Sequence, residues 1–153
     1  VVATGNQGAS LLAYPASHPL TIAVGAITED EKETTYANHG EGLDCCAPST
    51  GGPRAIYTTD WSADDRGLNL AKGLPGGHTA AFEGTSAACP QVSGTIALML
   101  SRKPSLSLDA IRTILRSTTD RVGFGTTPDG EPHRVFGYGR INAFAATLAA
   151  IQA

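Results

Sequence analysis

Apolar runs of two kinds alternate along the chain. Short runs of small and β-branched residues, closed by turn formers, occupy residues 1–4, 21–27, 43–47 and 55–59, and their length and composition predict buried strands. Residues 34–37 are a further short strand candidate. The run at 1–4 begins abruptly, with no turn residue before it. Residues 86–102 carry no charge until Arg102. Their near all-round apolar character predicts a helix buried between other layers. Lys103 and Pro104 end it. Ser107 is placed to cap the next helix, with Asp109 favourable in its first turn. There Leu108, Ile111 and Leu115 follow i, i+3, i+7 spacing, while Arg112 and Arg116 mark an exposed side. Residues 142–151 are alanine-rich and predict a last helix capped by Asn142. Residues 10–19, 60–78 and 123–137 are loops, the second with room for a hairpin. The charged stretch Glu29-Asp30-Glu31-Lys32-Glu33 is a solvated turn. Strands interleaved with apolar helices indicate an α/β layer architecture.

Composition narrows the function classes. The chain has 153 residues, 41% of them hydrophobic and 16% charged, which is the balance of a globular chain. A net charge of −3 and the lack of a basic stripe give no electrostatic case for nucleic acid. No apolar run approaches the roughly 20 residues of a membrane span. There is no charged leader with a short apolar core, no internal repeat and no low-complexity segment. Cys45, Cys46 and Cys89 are odd in number and two are adjacent, so they are not a disulfide framework. Either one of the pair bonds to Cys89 or all three are buried as small hydrophobes. Neither the cysteines nor His18, His39, His78 and His133 stand at zinc-ligand spacing. Asp64-Asp65 is an acidic pair in a loop without EF-hand spacing, and reads as solvated loop charge rather than a calcium site.

The candidate chemistry lies at the start of the long helix, in Phe82-Glu83-Gly84-Thr85-Ser86-Ala87-Ala88-Cys89-Pro90-Gln91-Val92-Ser93-Gly94. Gly84 can adopt a backbone conformation closed to other residues. Pro90 stands near the start of the helix, where unpaired N–H groups make a proline tolerable. Those donors and the helix dipole favour negative charge beside Ser86. That suits a nucleophile attacking a carbonyl, whose oxygen becomes an anion. Gly-Thr-Ser alone fits an N-cap equally well. A second stretch, Val1-Val2-Ala3-Thr4-Gly5-Asn6-Gln7-Gly8, places an amide donor, Asn6, on a turn after a strand.

Together these stretches resemble the subtilisin-like serine proteases, also called subtilases or peptidase family S8. Gly84 to Gly94 resembles the nucleophile signature, and Thr4-Gly5-Asn6-Gln7-Gly8 the oxyanion-hole segment. Tyr14-Pro15, Thr21-Ile22-Ala23-Val24-Gly25-Ala26 and Leu43-Asp44-Cys45-Cys46-Ala47-Pro48 are similar to landmarks between them. Gly137-Tyr138-Gly139-Arg140-Ile141-Asn142-Ala143 resembles the closing segment. The resemblance implies that residues 1–153 form the C-terminal portion of one catalytic domain, an α/β fold with a mostly parallel sheet and helices on both faces, incomplete at its N-terminal side. It implies a serine endopeptidase with Ser86 as nucleophile and Asn6 in the oxyanion hole. Thr4, Gly5, Ala13 and Gly84 would contact a peptide or protein substrate. The small or apolar walls at Ala3-Thr4-Gly5 and Ala13-Tyr14-Pro15 favour a large apolar or aromatic residue before the scissile bond.

No residue here matches the family's catalytic aspartate or histidine. An N-terminal complement is expected to supply both, and the chain is not expected to be a self-sufficient folding unit. The four histidines lie in loops with no positioned carboxylate, so none is taken as a relocated base. Gln91 and Cys89 depart from the commoner histidine and serine or alanine, at positions that carry no chemistry. The chemistry needs no cofactor. The resemblance allows a structural calcium whose ligands are unassigned, and implies secretion. The competing reading is an inactive protease-like scaffold that acts as a binding module. A lipase-type hydrolase lacks the required Gly-x-Ser-x-Gly elbow.

Overall fold

The computed structural model describes residues 1–50, 54–61, 67–68 and 77–153. Asp64-Asp65 and most of the glycine-rich part of the 60–78 loop lie outside the described residues. Three parallel strands, β1 (Val2–Ala3), β2 (Ala23–Ile27) and β3 (Cys45–Pro48), pair in the order β1-β2-β3. Val2 is opposite Ala23, Val24 opposite Cys45 and Ile27 opposite Pro48. Every residue of β2 is buried. That is why its sequence is a continuous run of small and branched apolar residues rather than an alternation. Pro48, with no N–H to give a ladder, stands at the end of β3. A hairpin of β4 (Ile56–Thr59) and β5 (His78–Phe82) flanks the 60–78 loop. Residues 34–37 form no strand. The chain just before it meets β2 through an isolated bridge from Glu33 to Ile27, and Thr34 Oγ1 donates to Ala26 O of β2 at 3.5 Å. Thr34 Oγ1 there accepts the Ala37 N–H, so a side chain replaces a ladder bond.

Three helices follow: α1 (Thr85–Arg102), α2 (Leu108–Thr118) and α3 (Ala143–Gln152). Ser107 caps α2 by accepting the Ala110 N–H at 3.2 Å, and Asn142 caps α3 by accepting the Ala145 N–H at 2.9 Å. Val92, Ile96 and Met99 of α1, Ile111, Ile114 and Leu115 of α2, and Ala146 and Ala150 of α3 join Ile22, Val24, Ala26, Cys45 and Ala47 in one core. The opposite register of the sheet is covered by loops. Ile27 and Cys46 pack against Val122, Phe124 and Phe136, and Ala23 against Leu12, Ala16 and Leu43. The architecture is that of an incomplete α/β domain built on a parallel sheet. Among the described residues all three helices lie on one face of the sheet.

Three local expectations need correction. First, α1 begins at Thr85, so Pro90 lies in its second turn rather than its first. The helix continues through it, with the Ser86 carbonyl denied the N–H that position 90 would otherwise supply. Second, α1 is not buried all round. Ser86, Pro90, Ser93, Gly94, Ala97 and Leu98 are exposed, Leu98 by 52%. Third, Arg112 and Arg116 do not mark a free surface. Arg116 Nε donates to Asp44 Oδ1 at 2.8 Å, and Arg112 Nε lies 3.5 Å from the same oxygen. Asp44 Oδ2 accepts the Ala23 N–H at 2.8 Å, and the Asp44 side chain is only 2% exposed. One buried carboxylate thus ties β2 and the start of β3 to α2. Another arginine, Arg140, joins Glu31 and Asp120. Hydrogen bonds from Arg140 and Asn142 hold the Asp120 carboxyl below its ordinary range.

Candidate active site

Parallel β1 and β2 fix where the chain turns out of the sheet after Ala3. Thr4 still donates its N–H to Val24 O at 3.1 Å, and Gly5 then takes φ +102°, which glycine permits. This turn presents Asn6. The Asn6 Oδ1 atom accepts both the Thr85 N–H at 3.0 Å and the Thr85 hydroxyl at 2.8 Å. Gly84, the N-cap of α1, has no side chain to cap the helix, and Asn6 does so from 79 residues away. With the oxygen end engaged, the Nδ2 end is aimed at Gly84. A Cβ placed on Gly84 would stand 2.9 Å from Asn6 Nδ2. Gly84 has φ +83° and its carbonyl accepts the Ser49 hydroxyl at 2.8 Å. The close approach and the positive φ both require glycine at this position.

Ser86 is the second residue of α1 and is exposed. Its own N–H belongs to the first turn, where no intrahelical acceptor exists. The amide of Asn6 and the start of α1 therefore place neutral donors around an exposed serine, with the positive end of the helix dipole behind it. Beside Asn6 a cavity of about 410 Å³ is lined by Tyr36, Thr50, Glu83 and Gly84. Tyr36 is held by its hydroxyl, which donates to Thr50 O at 2.7 Å.

The structure brings Asn6 to Gly84 and Thr85, the two residues just before Ser86. Gly5 lies in the Asn6 turn. Thr4 is fully buried and its hydroxyl has no hydrogen-bond partner, so its side chain presents no surface to a substrate. Ala13 is exposed on the loop that carries the cis Tyr14-Pro15 bond, and neighbouring Leu12 packs near Val2 of β1. No hydrogen bond joins Ala13 to Asn6 or Ser86. Among the described residues no histidine bonds to Ser86. His39 contacts Ser10 and Ala37 O, His18 the Leu20 N–H, His133 the Val135 N–H, and His78 stacks on Tyr57.

The cysteines are free thiols, with Cys45 and Cys46 buried and Cys89 half-buried. Burial pushes the Cys46 thiol up to about 12 and raises those of Cys45 and Cys89. Cys89, one turn from Ser86, is the least buried of the three. Among the described residues no three acidic, histidine or cysteine side chains gather to hold a metal ion. No chemistry is routed through a metal here.

Sequence reading missed Tyr36, Thr50, Glu83 and Asn38. Asn38 holds the Asn6 turn from beneath through hydrogen bonds to residues 29–34 positions away in sequence. Glu83 lies inside the Phe82 to Gly94 stretch but is assigned no role there, and the other three belong to no motif and are marked by no periodicity.

The model of the subtilase family matches residues 1–139, and the chain belongs to that family. It is 35% identical to the calcium-dependent protease of Nostoc sp. over 97% of this chain and 24% of that protein. It is 33% identical to subtilisin Savinase of Lederbergia lenta over 96% of this chain and 45% of that one. Among solved structures, proteases from Pseudoalteromonas arctica superpose with a TM-score of 0.74 at 27% identity, covering 98% of this chain and 42% of theirs. A lanthipeptide protease superposes with a TM-score of 0.79, covering 96% of this chain and 49% of its own, and at 24% identity supports the fold alone. The chain thus spans between a quarter and a half of the length of these relatives. Among the described residues no helix is long and apolar enough to cross a membrane.

Proposed function

We propose that this chain carries the nucleophile and the oxyanion hole of a subtilisin-like serine endopeptidase. The observation that supports it best is the amide of Asn6, whose oxygen is committed to Thr85 while its Nδ2 end lies at Gly84, two residues from Ser86. A base takes the Ser86 proton as Oγ adds to the peptide carbonyl. The new oxyanion accepts hydrogen bonds from Asn6 Nδ2 and the Ser86 N–H. The protonated base then gives that proton to the leaving nitrogen as the tetrahedral species expels the amine, and water, deprotonated by the same base, releases the acyl group and restores the Ser86 hydroxyl. In this reading the histidine and aspartate come from an N-terminal complement, and residues 1–153 are the C-terminal part of one peptidase domain.

The substrate is a peptide or protein, with a large apolar or aromatic residue favoured before the scissile bond by the small walls at Gly5 and Ala13. Dominant cleavage after Lys or Arg in a peptide library would overturn that preference. The bacterial subtilisin relatives support a site of action outside the cytoplasm. A structural calcium, as the name of the Nostoc relative suggests for that protein, would be held here without a cluster of three acidic, histidine or cysteine side chains among the described residues, and so chiefly by carbonyl oxygens.

The test is labelling by a fluorophosphonate, with Ser86→Ala as control. Labelling of the full polypeptide at Ser86, lost in the variant, supports the peptidase. If the full polypeptide stays unlabelled yet still binds peptides, the inactive scaffold replaces it.

A further inference from the structure

Asn38 is 2% exposed and lies in the segment that follows β2. Its Oδ1 accepts the Gln7 and Ala9 N–H groups, both at 3.0 Å. Its Nδ2 donates to Thr4 O at 3.0 Å and Gln7 Oε1 at 2.9 Å. Its own N–H donates to Gly5 O at 2.9 Å. Each end of the amide is used twice, which is the full capacity of such a side chain. The partners are residues 4, 5, 7 and 9, so the bonds bracket Asn6 on both sides. The neighbours continue the pattern. His39 donates its N–H to Ala9 O at 3.0 Å, and Gly8 donates its own to Tyr36 O at 2.6 Å. A Cβ at Gly5 would stand 2.6 Å from Asn38 Nδ2, so glycine there lets the amide close in.

A turn of six residues between a two-residue strand and a loop has little apolar surface to hold it. Here a buried amide replaces a core. We propose that Asn38 is a positioning residue for the oxyanion donor. It fixes the backbone of residues 4–9 before substrate arrives, so that Asn6 meets Thr85 with its oxygen and the reacting carbonyl with its nitrogen. A donor ordered in advance costs no reorganisation when charge develops. A loosened one loses transition-state contact while leaving substrate binding in place, which lowers kcat and spares KM. This rests on the reading of Asn6 as oxyanion donor, and the test separates the two.

The experiment is a double-mutant cycle in the full polypeptide as its gene encodes it, with kcat and KM on a peptide substrate. Asn38→Asp keeps the acceptor for Gln7 and Ala9 but turns an oxygen toward Thr4 O and Gln7 Oε1. In the native background its kcat is expected to fall about ten- to a hundredfold, the scale of a small misplacement, with KM changed less than about twofold. In an Asn6→Ala background the same substitution is expected to change kcat less than about twofold, since it acts through a donor already removed. An equal loss in both backgrounds, or no loss in the native one, overturns the positioning role. If Asn6→Ala leaves kcat unchanged, the oxyanion reading fails and this inference with it. Should the Asn38→Asp variant not fold, Asn38→Ser, which retains one short acceptor, repeats the cycle with the same criteria.

Discussion

In the proposed function Asn6 uses the two ends of one amide for different tasks, so its proposed chemistry can be separated from its part in the fold. The oxygen caps α1 at Thr85; the nitrogen is left at Gly84. Asn6→Asp keeps an oxygen for Thr85 and replaces the donor by an acceptor carrying negative charge. The helix start is expected to survive, and kcat to fall by about 10²–10³ with KM little changed. That magnitude is the one known for loss of such a donor in subtilisin, a member of this family, and is carried over rather than derived. Steady-state kinetics beside a thermal melt checks it; an unchanged kcat with an unchanged melt removes Asn6 from the chemistry. The stretches that hold Ser86 and Asn6 stand out in the sequence because glycine, a turn and an apolar helix surround them in short, ordered motifs, and the structure places them as a turn and a helix start. Asn38 does not, because its partners lie about thirty positions upstream and only the parallel pairing of β1 with β2 brings them within reach.

At the scale of elements, the clamp on Asp44 shows what periodicity leaves out. The spacing of Leu108, Ile111 and Leu115 located the buried side of α2, but it treats every charge as solvated. Arg112 and Arg116 stand on the turns that pass over the start of β3, where one buried carboxylate collects both. Asp44→Ala would leave Arg116 without its anion, Arg112 with only the exposed Asp109 at 3.7 Å, and the Ala23 N–H without its acceptor, at a cost of about 3–5 kcal/mol. Urea unfolding measures it, and a loss below about 1 kcal/mol would mean that the arginines find water instead. The next two residues of β3 make a prediction about pH. The Cys46 thiol is raised from 9.0 to about 12 by burial. Its contribution to stability is complete below its unfolded value, and is lost as pH rises from about 9 through about 12. Alkaline titration of stability should therefore decline in that window, and less steeply in Cys46→Ala. At pH 8 Cys89 is expected to react with a thiol reagent before Cys45 and Cys46, which react at the rate of unfolding. Equal rates for all three would place the pair nearer the surface than the core packing does.

For the whole molecule, the layer order followed from the alternation of short and long apolar runs, but the extent of each surface did not. Apolar residues without charge predict burial, yet the run in α1 contains two faces. Val92, Ile96 and Met99 meet the sheet and α3, while Ala97 and Leu98 with their small neighbours are open. A sequence cannot tell a face that is covered from one that waits to be covered, since both exclude charge. The sheet poses the same problem at β1. Among the described residues it pairs with β2 on one side only, and Val1 beside it is 44% exposed. An unpaired edge next to an exposed apolar helix face is the combination that recruits another chain. The 153-residue chain expressed alone is therefore expected to elute above its 15.7 kDa monomer mass, to bind a hydrophobic dye, and to resist fluorophosphonate labelling. Supplied with a segment carrying the aspartate and histidine that the proposed function requires, it should become a discrete complex, lose dye binding and gain labelling at Ser86 together. Covering the β1 edge and the α1 face is one event in this view, and it is the event that brings a base to the serine. A compact, cooperative monomer without the complement would separate the two, and would show that the open faces are stable in water as they stand.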